Sequence, residues 1–292
     1  MFRTSPAFRA DAGLVNAMSV DVEDWFQVSA FERVIAPDTW DARACRVEQN
    51  VDRILALFAG HGVRATFFTL GWIAERYPQT VRRIVAGGHE LASHGYGHQR
   101  VTTLTPAAFR ADLLRAKSVL EDLGGVAVRG YRAPSFSIGA ANLWAHDVLR
   151  ETGHAYSSSV YPVRHDLYGM PDAPRFAHVL SNGLLEIPPT TVRAAGRNWP
   201  ASGGGFFRLL PYPVSRALIR RVNRHDAQPA MFYFHPWEID PGQPRVEGAG
   251  AKSRFRHYLN LSRTEARLAR LLSDFRWTRV DEAYSTRLGS RA

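Results

Sequence analysis

The sequence predicts an α/β protein made of parallel βα units that close toward a barrel, and three observations carry that expectation. A length of 292 residues suits one large α/β barrel or two small domains, and 45% apolar residues can fill a real core. Short apolar runs alternate with segments of helical period, giving about seven βα units. The chemically capable residues fall at the ends of the predicted strands, which is where a parallel barrel gathers an active site.

The first run, Ala17-Met18-Ser19-Val20-Asp21-Val22, reads as a strand that delivers carboxylates at its end. Val47, Val51, Ile54, Leu55 and Phe58 keep the 3.6-residue period of a helix, which Gly60 and Gly62 stop. Val63 to Leu70 is rich in aromatic and β-branched residues and gives the second strand. After a helix over Thr80 to Ala86, Gly88 to Ser93 forms a third strand that ends where His94 begins. Thr105 as N-cap and Pro106 at the first helical position open the next helix. Phe109, Leu113, Ala116 and Leu120 form its buried stripe, and Gly124-Gly125 close it. Val126 to Tyr131 is the fourth strand. Further strands are expected at His154 to Ser158, Leu184 to Ile187 and Ala230 to Phe234, with helices at Ala140 to Glu151 and Val214 to Asn223. Toward the C-terminus, Ser262 and Glu265 have capping-box spacing, and Leu268, Leu271, Leu272 and Phe275 continue as an apolar face expected to pack on the barrel. No internal repeat, low-complexity stretch or clean linker divides the chain.

Composition narrows the chemistry. Cys45 is the only cysteine, which excludes an internal disulfide and a cysteine-rich zinc site, so any metal must be held by His, Asp or Glu. No run of eighteen apolar residues occurs, and Met1-Phe2-Arg3-Thr4-Ser5-Pro6 lacks the basic-then-apolar pattern of a signal peptide, so a cytosolic protein is expected. The formal charge is +10, and residues 251–292 alone hold ten Lys or Arg against four Asp or Glu. These charges are scattered through an amphipathic pattern with no basic block. That distribution fits a solvated cationic face, or one that attracts an anionic glycan or membrane surface, better than a specific nucleic-acid site.

His94-Gly95-Tyr96-Gly97-His98 sets two imidazoles four residues apart, and its glycines favour a tight turn in which both reach one ion. Alone, such a pair is as often two capping or surface histidines. Asp21 and Glu23 lie two apart on a strand and so on one side of it. One can bind a metal while the other takes a proton from metal-activated water. Two imidazoles and a carboxylate make a three-ligand catalytic site for zinc or a similar divalent ion. Asp24 points elsewhere if the strand persists, but a turn beginning at Glu23 brings it to the ion, and this choice stays open. Arg132 of Arg132-Ala133-Pro134-Ser135 can hold a carboxylate ionised, and the Ser135 N–H can face an oxyanion. His235 ends the run 230–234 as a general-acid candidate, with Trp237 offering a ring for sugar stacking and Tyr96 read as a further substrate contact. Gly203-Gly204-Gly205-Phe206 lacks the Lys-Ser or Lys-Thr of a P-loop. Ser157-Ser158-Ser159 with His165-Asp166 lacks the Gly-x-Ser-x-Gly turn of a serine hydrolase and reads as a substrate-facing loop.

In this order, an acidic strand end, His-x-x-x-His, Arg-x-Pro and a late His, the residues resemble the NodB-like polysaccharide deacetylases of carbohydrate esterase family 4 type. The resemblance spans about residues 17–240, leaving 241–292 as a C-terminal extension, and its most specific part is 93–98. Residues 19–26, Gly196-Arg197-Asn198, 234–240 and Phe255-Arg256-His257-Tyr258-Leu259-Asn260 further resemble the subfamily found beside exosortase (PEP-CTERM) exopolysaccharide loci. The resemblance implies a distorted (β/α) barrel of about seven strands that hydrolyses N-acetyl groups on an amino-sugar polymer or its precursor. It implies Asp21 as base, Glu23 or Asp24 with His94 and His98 on a divalent metal, Arg132 holding the base and His235 as acid. Zinc is the first expectation for the metal, with cobalt, nickel or manganese as alternatives. It also implies a role in exopolysaccharide biosynthesis and peripheral contact with a synthesis complex at the membrane. An allantoinase-like cyclic amide hydrolase and a glycan-binding pseudoenzyme are the competing readings. Two departures stand out: familiar members carry adjacent aspartates where this chain has Asp21-Val22-Glu23, and an aspartate commonly stands where Ser157 follows Tyr156. Between the two candidate ligands, strand alternation and the longer side chain favour Glu23.

Overall fold

The computed structural model describes residues 13–166 and 168–289. The segment 1–6 that was read for a signal pattern therefore lies outside the described residues. The chain begins with β1 (Asn16–Val22), α1 (Val47–Gly60), β2 (Thr66–Thr69), α2 (Gly71–Arg76), α3 (Pro78–Ala86), β3 (Glu90–Ser93) and α4 (Pro106–Gly124). It continues through β4 (Gly130–Tyr131), α5 (Ala145–Glu151), β5 (Tyr156–Ser157), β6 (His178–Val179), β7 (Leu185–Glu186), and a hairpin of β8 (Thr191–Ala194) and β9 (Arg197–Pro200). Then come α6 (Gly204–Leu209), α7 (Tyr212–Arg224), β10 (Met231–Phe234), α8 (Ala251–Tyr258), α9 (Leu261–Asp274), β11 (Trp277–Thr278), α10 (Val280–Ala283) and α11 (Ser285–Gly289). Among the described residues no helix is long and apolar enough to cross a membrane.

The sheet order is β10-β1-β2-β3-β4-β5-β7-β6, parallel except for β6, so seven parallel strands form a curled half-barrel as expected. The open side between β7 and β10 is bridged by Thr190, whose N–H donates to the Met231 carbonyl (3.2 Å) while its hydroxyl accepts from the Met231 N–H (2.6 Å). Strand alternation sorts the interior from the outer layer. Met18, Val20 and Val22 of β1 join Phe58, Phe67, Phe232, Phe234 and Leu268 in the core between sheet and helices. Ala17, Phe68, Ala92 and Met231 fill the interior. Asp21 continues the interior row of β1 toward the strand's C-terminal end.

Apart from β1, the strands run shorter than the apolar runs predicted. Val128 shows why: its N–H is taken by Glu121 (2.8 Å) and its carbonyl by Lys117 (3.0 Å), so it leaves the ladder before β4. Helix α4 matches its prediction, with the Thr105 hydroxyl accepting from the Ala108 N–H and Gly125 closing it at φ +65°. Helix α5 starts at Ala145 rather than Ala140. Helix α2 was missed, because its first N–H groups are satisfied at long range: Gly71 and Trp72 donate to the carbonyls of Gly95 and Tyr96 in the His94–His98 turn.

The capping box at Ser262 and Glu265 is not made. Asn260, at φ +53°, is the N-cap of α9, its side chain donates to the Arg208 carbonyl, and Glu265 pairs with Arg53. The apolar face was read correctly: Leu268, Leu271 and Leu272 are buried, each contributing on the order of 2 kcal/mol by leaving water. Beyond α9, β11 pairs with Asn16 and Ala17 of β1, so residues 241–292 supply a strand of the main sheet as well as a helix packed on it.

Candidate metal centre and active site

Each strand delivers its chemistry by the same logic, since the last inward residue before a loop faces the shared mouth. Asp21 closes β1, and His94, Arg132 and His235 directly follow β3, β4 and β10. The mouth opens into a cleft of about 210 Å³ lined by Asp21, Glu23, His94, His98, Ser135 and His235, among others.

The Glu23, His94 and His98 side chains converge so that one donor atom from each lies within 4.8 Å of the others. Gly95 at φ +77° and His98 at φ +53° make the tight turn, and a Cβ on Gly95 would sit 2.9 Å from the Asp112 carboxylate. His94 Nδ1 lies 2.8 Å from the Arg132 carbonyl, which assigns the proton to Nδ1 and leaves Nε2 its lone pair. Burial lowers the His94 pKa to about 4, so the imidazole is neutral, as a ligand must be. Oε2 of Glu23 is buried without a hydrogen-bond donor, although His98 Nε2 stands 2.5 Å away. An orphaned carboxylate oxygen held against two imidazoles fits a divalent cation, and two His with one carboxylate is a common zinc donor set. Burial opposes ionisation of Glu23, but His98, His235 and His94 outweigh it and hold its pKa far below the ordinary range.

Asp24 turns away from the cluster. Its carboxylate accepts from the N–H groups of Trp25 (2.7 Å), Arg46 (2.5 Å) and Val47 (3.0 Å), capping the start of α1 from a distance. The alternative in which Asp24 takes the ion is thus not the geometry of this structure.

Asp21 is 2% exposed and its Oδ1 lies 2.5 Å from Arg132 Nη1. Arg132 is fully buried, bonded also to the Ser19 hydroxyl (2.9 Å) and the Ser158 hydroxyl (3.0 Å), with its guanidinium 4.1 Å from the Phe68 ring centroid. The segment 157–159, read as substrate-facing, therefore does something else. Ser158 holds Arg132, and Ser159 accepts from the Ala133 N–H (2.9 Å), which fixes the Arg132–Ser135 turn. In that turn Ser135 stands at φ +56° and its hydroxyl contacts that of Ser29.

His235 points Nε2 into the cleft, 3.9 Å from Asp21 and 3.6 Å from Glu23, while Nδ1 bonds to Glu238 Oε1 at 2.7 Å. Burial disfavours the imidazolium, but Glu23, Glu238 and Asp21 prevail and raise its pKa to about 9. Glu238 is the carboxylate that orients His235, and the strand-end reading missed it. Its signal was the spacing His235-Pro236-Trp237-Glu238, which closes a capping box in which the Glu238 carboxylate also accepts from the His235 N–H (3.1 Å). Glu238 is in turn paired with buried Arg208 (2.6 Å). Gly204 makes room for it, since a Cβ there would lie 2.0 Å from Glu238 Oε1. The glycine-rich loop thus cradles a carboxylate of the protein itself.

Two expected substrate contacts are placed differently. Trp237 lines the cleft but is 6% exposed and stacks against His257 (4.1 Å) and His235 (5.3 Å), and its indole N–H donates to Glu23 Oε1 (3.2 Å). It orients the carboxylate and leaves little face for a sugar. Tyr96 lies outside the cleft, its hydroxyl bonded to Glu75 (2.5 Å) and its ring covered by Arg115 at 3.4 Å.

Fold and cluster together define the class: a curled parallel α/β half-barrel with a carboxylate–imidazole site at its strand ends, the fold of the carbohydrate esterase family 4 deacetylase structures. Residues 36–157 match the family model Polysaccharide deacetylase, and residues 158–285 match Domain of unknown function (DUF3473). Over part of its length the chain is similar to curated deacetylases. It is 31% identical over 113 residues to the peptidoglycan deacetylase of Helicobacter pylori, covering 39% of this chain and 38% of that protein. The chain thus spans well under half the length of that relative. A structure from Mycobacterium smegmatis described as a polysaccharide deacetylase aligns with a TM-score of 0.64 at 20% identity, covering 98% of this chain and 94% of that one. Puue allantoinase aligns with a TM-score of 0.61 at 16% identity, over 95% and 91%. At such identities the likeness establishes the fold. The deacetylase segment contains His94, His98 and Arg132, while Asp21 and Glu23 precede it and His235 and Glu238 fall in the segment of unknown function.

Proposed function

We propose that this chain is a metal-dependent hydrolase that removes N-acetyl groups from an amino-sugar polysaccharide or its precursor. The observation that carries the reading is the convergence of the Glu23, His94 and His98 donor atoms beside an arginine-held Asp21 and a carboxylate-held His235 in one cleft. A divalent ion bound by those three residues, zinc before cobalt, nickel or manganese, would polarise the acetyl carbonyl and acidify water. Asp21 accepts the proton of the attacking water, aimed by its ion pair with Arg132. The Ser135 N–H donates to the developing oxyanion. His235, held as the imidazolium by the Glu238 carboxylate on Nδ1, gives its Nε2 proton to the departing amine. The products are acetate and the free amino sugar.

The subfamily resemblance and the dispersed cationic surface support a place in exopolysaccharide biosynthesis, on the cytosolic side and in peripheral contact with a synthesis complex at the membrane. Acetate release from N-acetylglucosamine oligomers, abolished by a chelator and restored by zinc or cobalt, tests the activity. Glycan binding without acetate would instead mark a pseudoenzyme, and ring-opening of allantoin would mark a cyclic amide hydrolase.

A further inference from the structure

The tripeptide Gly196-Arg197-Asn198 has no part in the chemistry above. It begins at the turn of the β8–β9 hairpin, where Ala195 (φ +49°) and Gly196 (φ +74°) both take the left-handed backbone of a tight two-residue turn. The hairpin is anchored by Asn198, whose side-chain amide donates to the carbonyls of Pro162 (2.9 Å) and Pro171 (3.2 Å). Between hairpin and anchor lies an open groove of about 510 Å³ lined by Arg164, His165, Asp172, Arg193, Arg197 and Trp199, among others. Two contacts join it to the catalytic cleft. The His165 ring stacks at 4.0 Å on Tyr168, which lines the cleft, and Phe206 of the groove directly follows Gly205 of the cleft.

Several exposed or half-buried arginines of the protein sit on carboxylates, as in Arg46–Asp240, Arg76–Asp41 and Arg175–Asp226. Arg164 and Arg197 make no ion pair with a carboxylate among the described residues, and Arg193 reaches only the Gly196 carbonyl (3.4 Å). The Arg197 guanidinium rests 3.9 Å from the Trp199 ring centroid, and Trp199, fixed by its indole N–H on the Ala194 carbonyl (3.2 Å), is 42% exposed. Three arginines against one aspartate, beside an ordered exposed indole, offer bidentate anchors for carboxylates and a flat apolar surface for a sugar ring.

We propose that this groove is a subsite for carboxylate-bearing sugar units of the chain whose N-acetyl group enters the cleft, so that the enzyme prefers an acidic polysaccharide to a neutral one. The inference rests on the deacetylase reading. A single-stranded nucleic acid also pairs arginines with aromatic rings, but it needs a continuous basic track, whereas here the carboxylates of Asp172 and of the adjoining cleft oppose phosphates.

The test is binding of two oligosaccharides of equal length to the full chain, one alternating N-acetylglucosamine with glucuronate and one of N-acetylglucosamine alone, with acetate release followed in parallel. Wild type is expected to bind the acidic oligomer about tenfold more tightly, and Arg164→Ala/Arg197→Ala to lose that preference while holding the neutral oligomer unchanged. Trp199→Ala is expected to weaken both oligomers several-fold. A preference that survives the double substitution, a wild type without preference, or a thymidine oligomer that displaces the acidic glycan would each overturn the proposal. Intact, arginine-dependent preference without acetate from either oligomer would sink the deacetylase reading and leave the groove standing.

Discussion

Glu23 and Glu90 are both buried glutamates of the same curled sheet, one at the C-terminal mouth and one at the opposite end. Glu90 is fully served by donors: Tyr156 bonds Oε1 (2.8 Å), and Thr66 and the Asp281 N–H bond Oε2. Glu23 has a single donor, Trp237, and an orphaned oxygen. Yet Glu90, the better hydrogen-bonded of the two, has its pKa raised, by burial first and by nearby Asp281, while Glu23 is held down by three imidazoles. Neutral donors do not offset burial here, and neighbouring positive charge does. One end stores an unspent negative charge that a cation can use, and the other locks α10 onto the sheet.

The largest expected effects come from breaking the charged end. Asp21→Asn should keep its metal and lose on the order of a hundred-fold or more in rate, because an amide cannot accept the water's proton. Glu23→Gln should lose the metal itself. Metal content measured beside turnover separates the two, and a fully loaded Glu23→Gln would remove it from the ligand set.

Next comes the carboxylate that holds His235 protonated. Glu238→Gln should cut turnover of N-acetylated oligomers by roughly ten- to a hundred-fold, yet leave hydrolysis of 4-nitrophenyl acetate nearly unchanged, since that leaving group needs no proton. Equal losses on both substrates would mean that Glu238 only supports the fold.

At the opposite end the expected effect is on stability alone. The raised pKa of Glu90 means that the folded state binds its proton more tightly than the unfolded chain does. Its contribution is therefore complete below the ordinary value of 4.5 and is lost as pH rises through the elevated folded value. Glu90→Gln should flatten that slope by on the order of 1–3 kcal/mol between pH 4.5 and 8 while acetate release stays at wild-type level. Denaturant unfolding across pH would show an unchanged slope if this is wrong. Smallest is Asp24→Asn, which should cost about 1 kcal/mol through the weakened cap on α1 and keep its metal.

Much of this end-to-end division could be read before the fold was known. Alternation in Ala17-Met18-Ser19-Val20-Asp21-Val22 separates core from cleft residues, and the glycines of 94–98 specify the turn that joins two imidazoles. What escaped was long-range. Nothing local tells that Trp237 will be sandwiched among imidazoles, that Arg115 will cover Tyr96, or that the carbonyls of a histidine loop will cap α2. Glu238 was readable from its offset to His235, but it stands in the 3-10 turn behind a strand end and not at the end itself. Asp24 was left open because the direction of a chain leaving a strand depends on its next partner, here the N-terminus of α1.

The position of β11 bears on the order of events during synthesis. β1 carries the proposed base and leads to the proposed carboxylate ligand, and it precedes β10 and β11 in the chain. Yet Ala17 N–H bonds to the Ala230 carbonyl, Asn16 N–H bonds to the Arg276 carbonyl, and β1 lies between β2 and β10, with β11 pairing at its start. Until β10 and β11 are made, a growing chain can pair β1 only along its β2 edge. His235 and Glu238 follow β10 directly, so the second edge of β1 and the last side chains of the cleft come into place together.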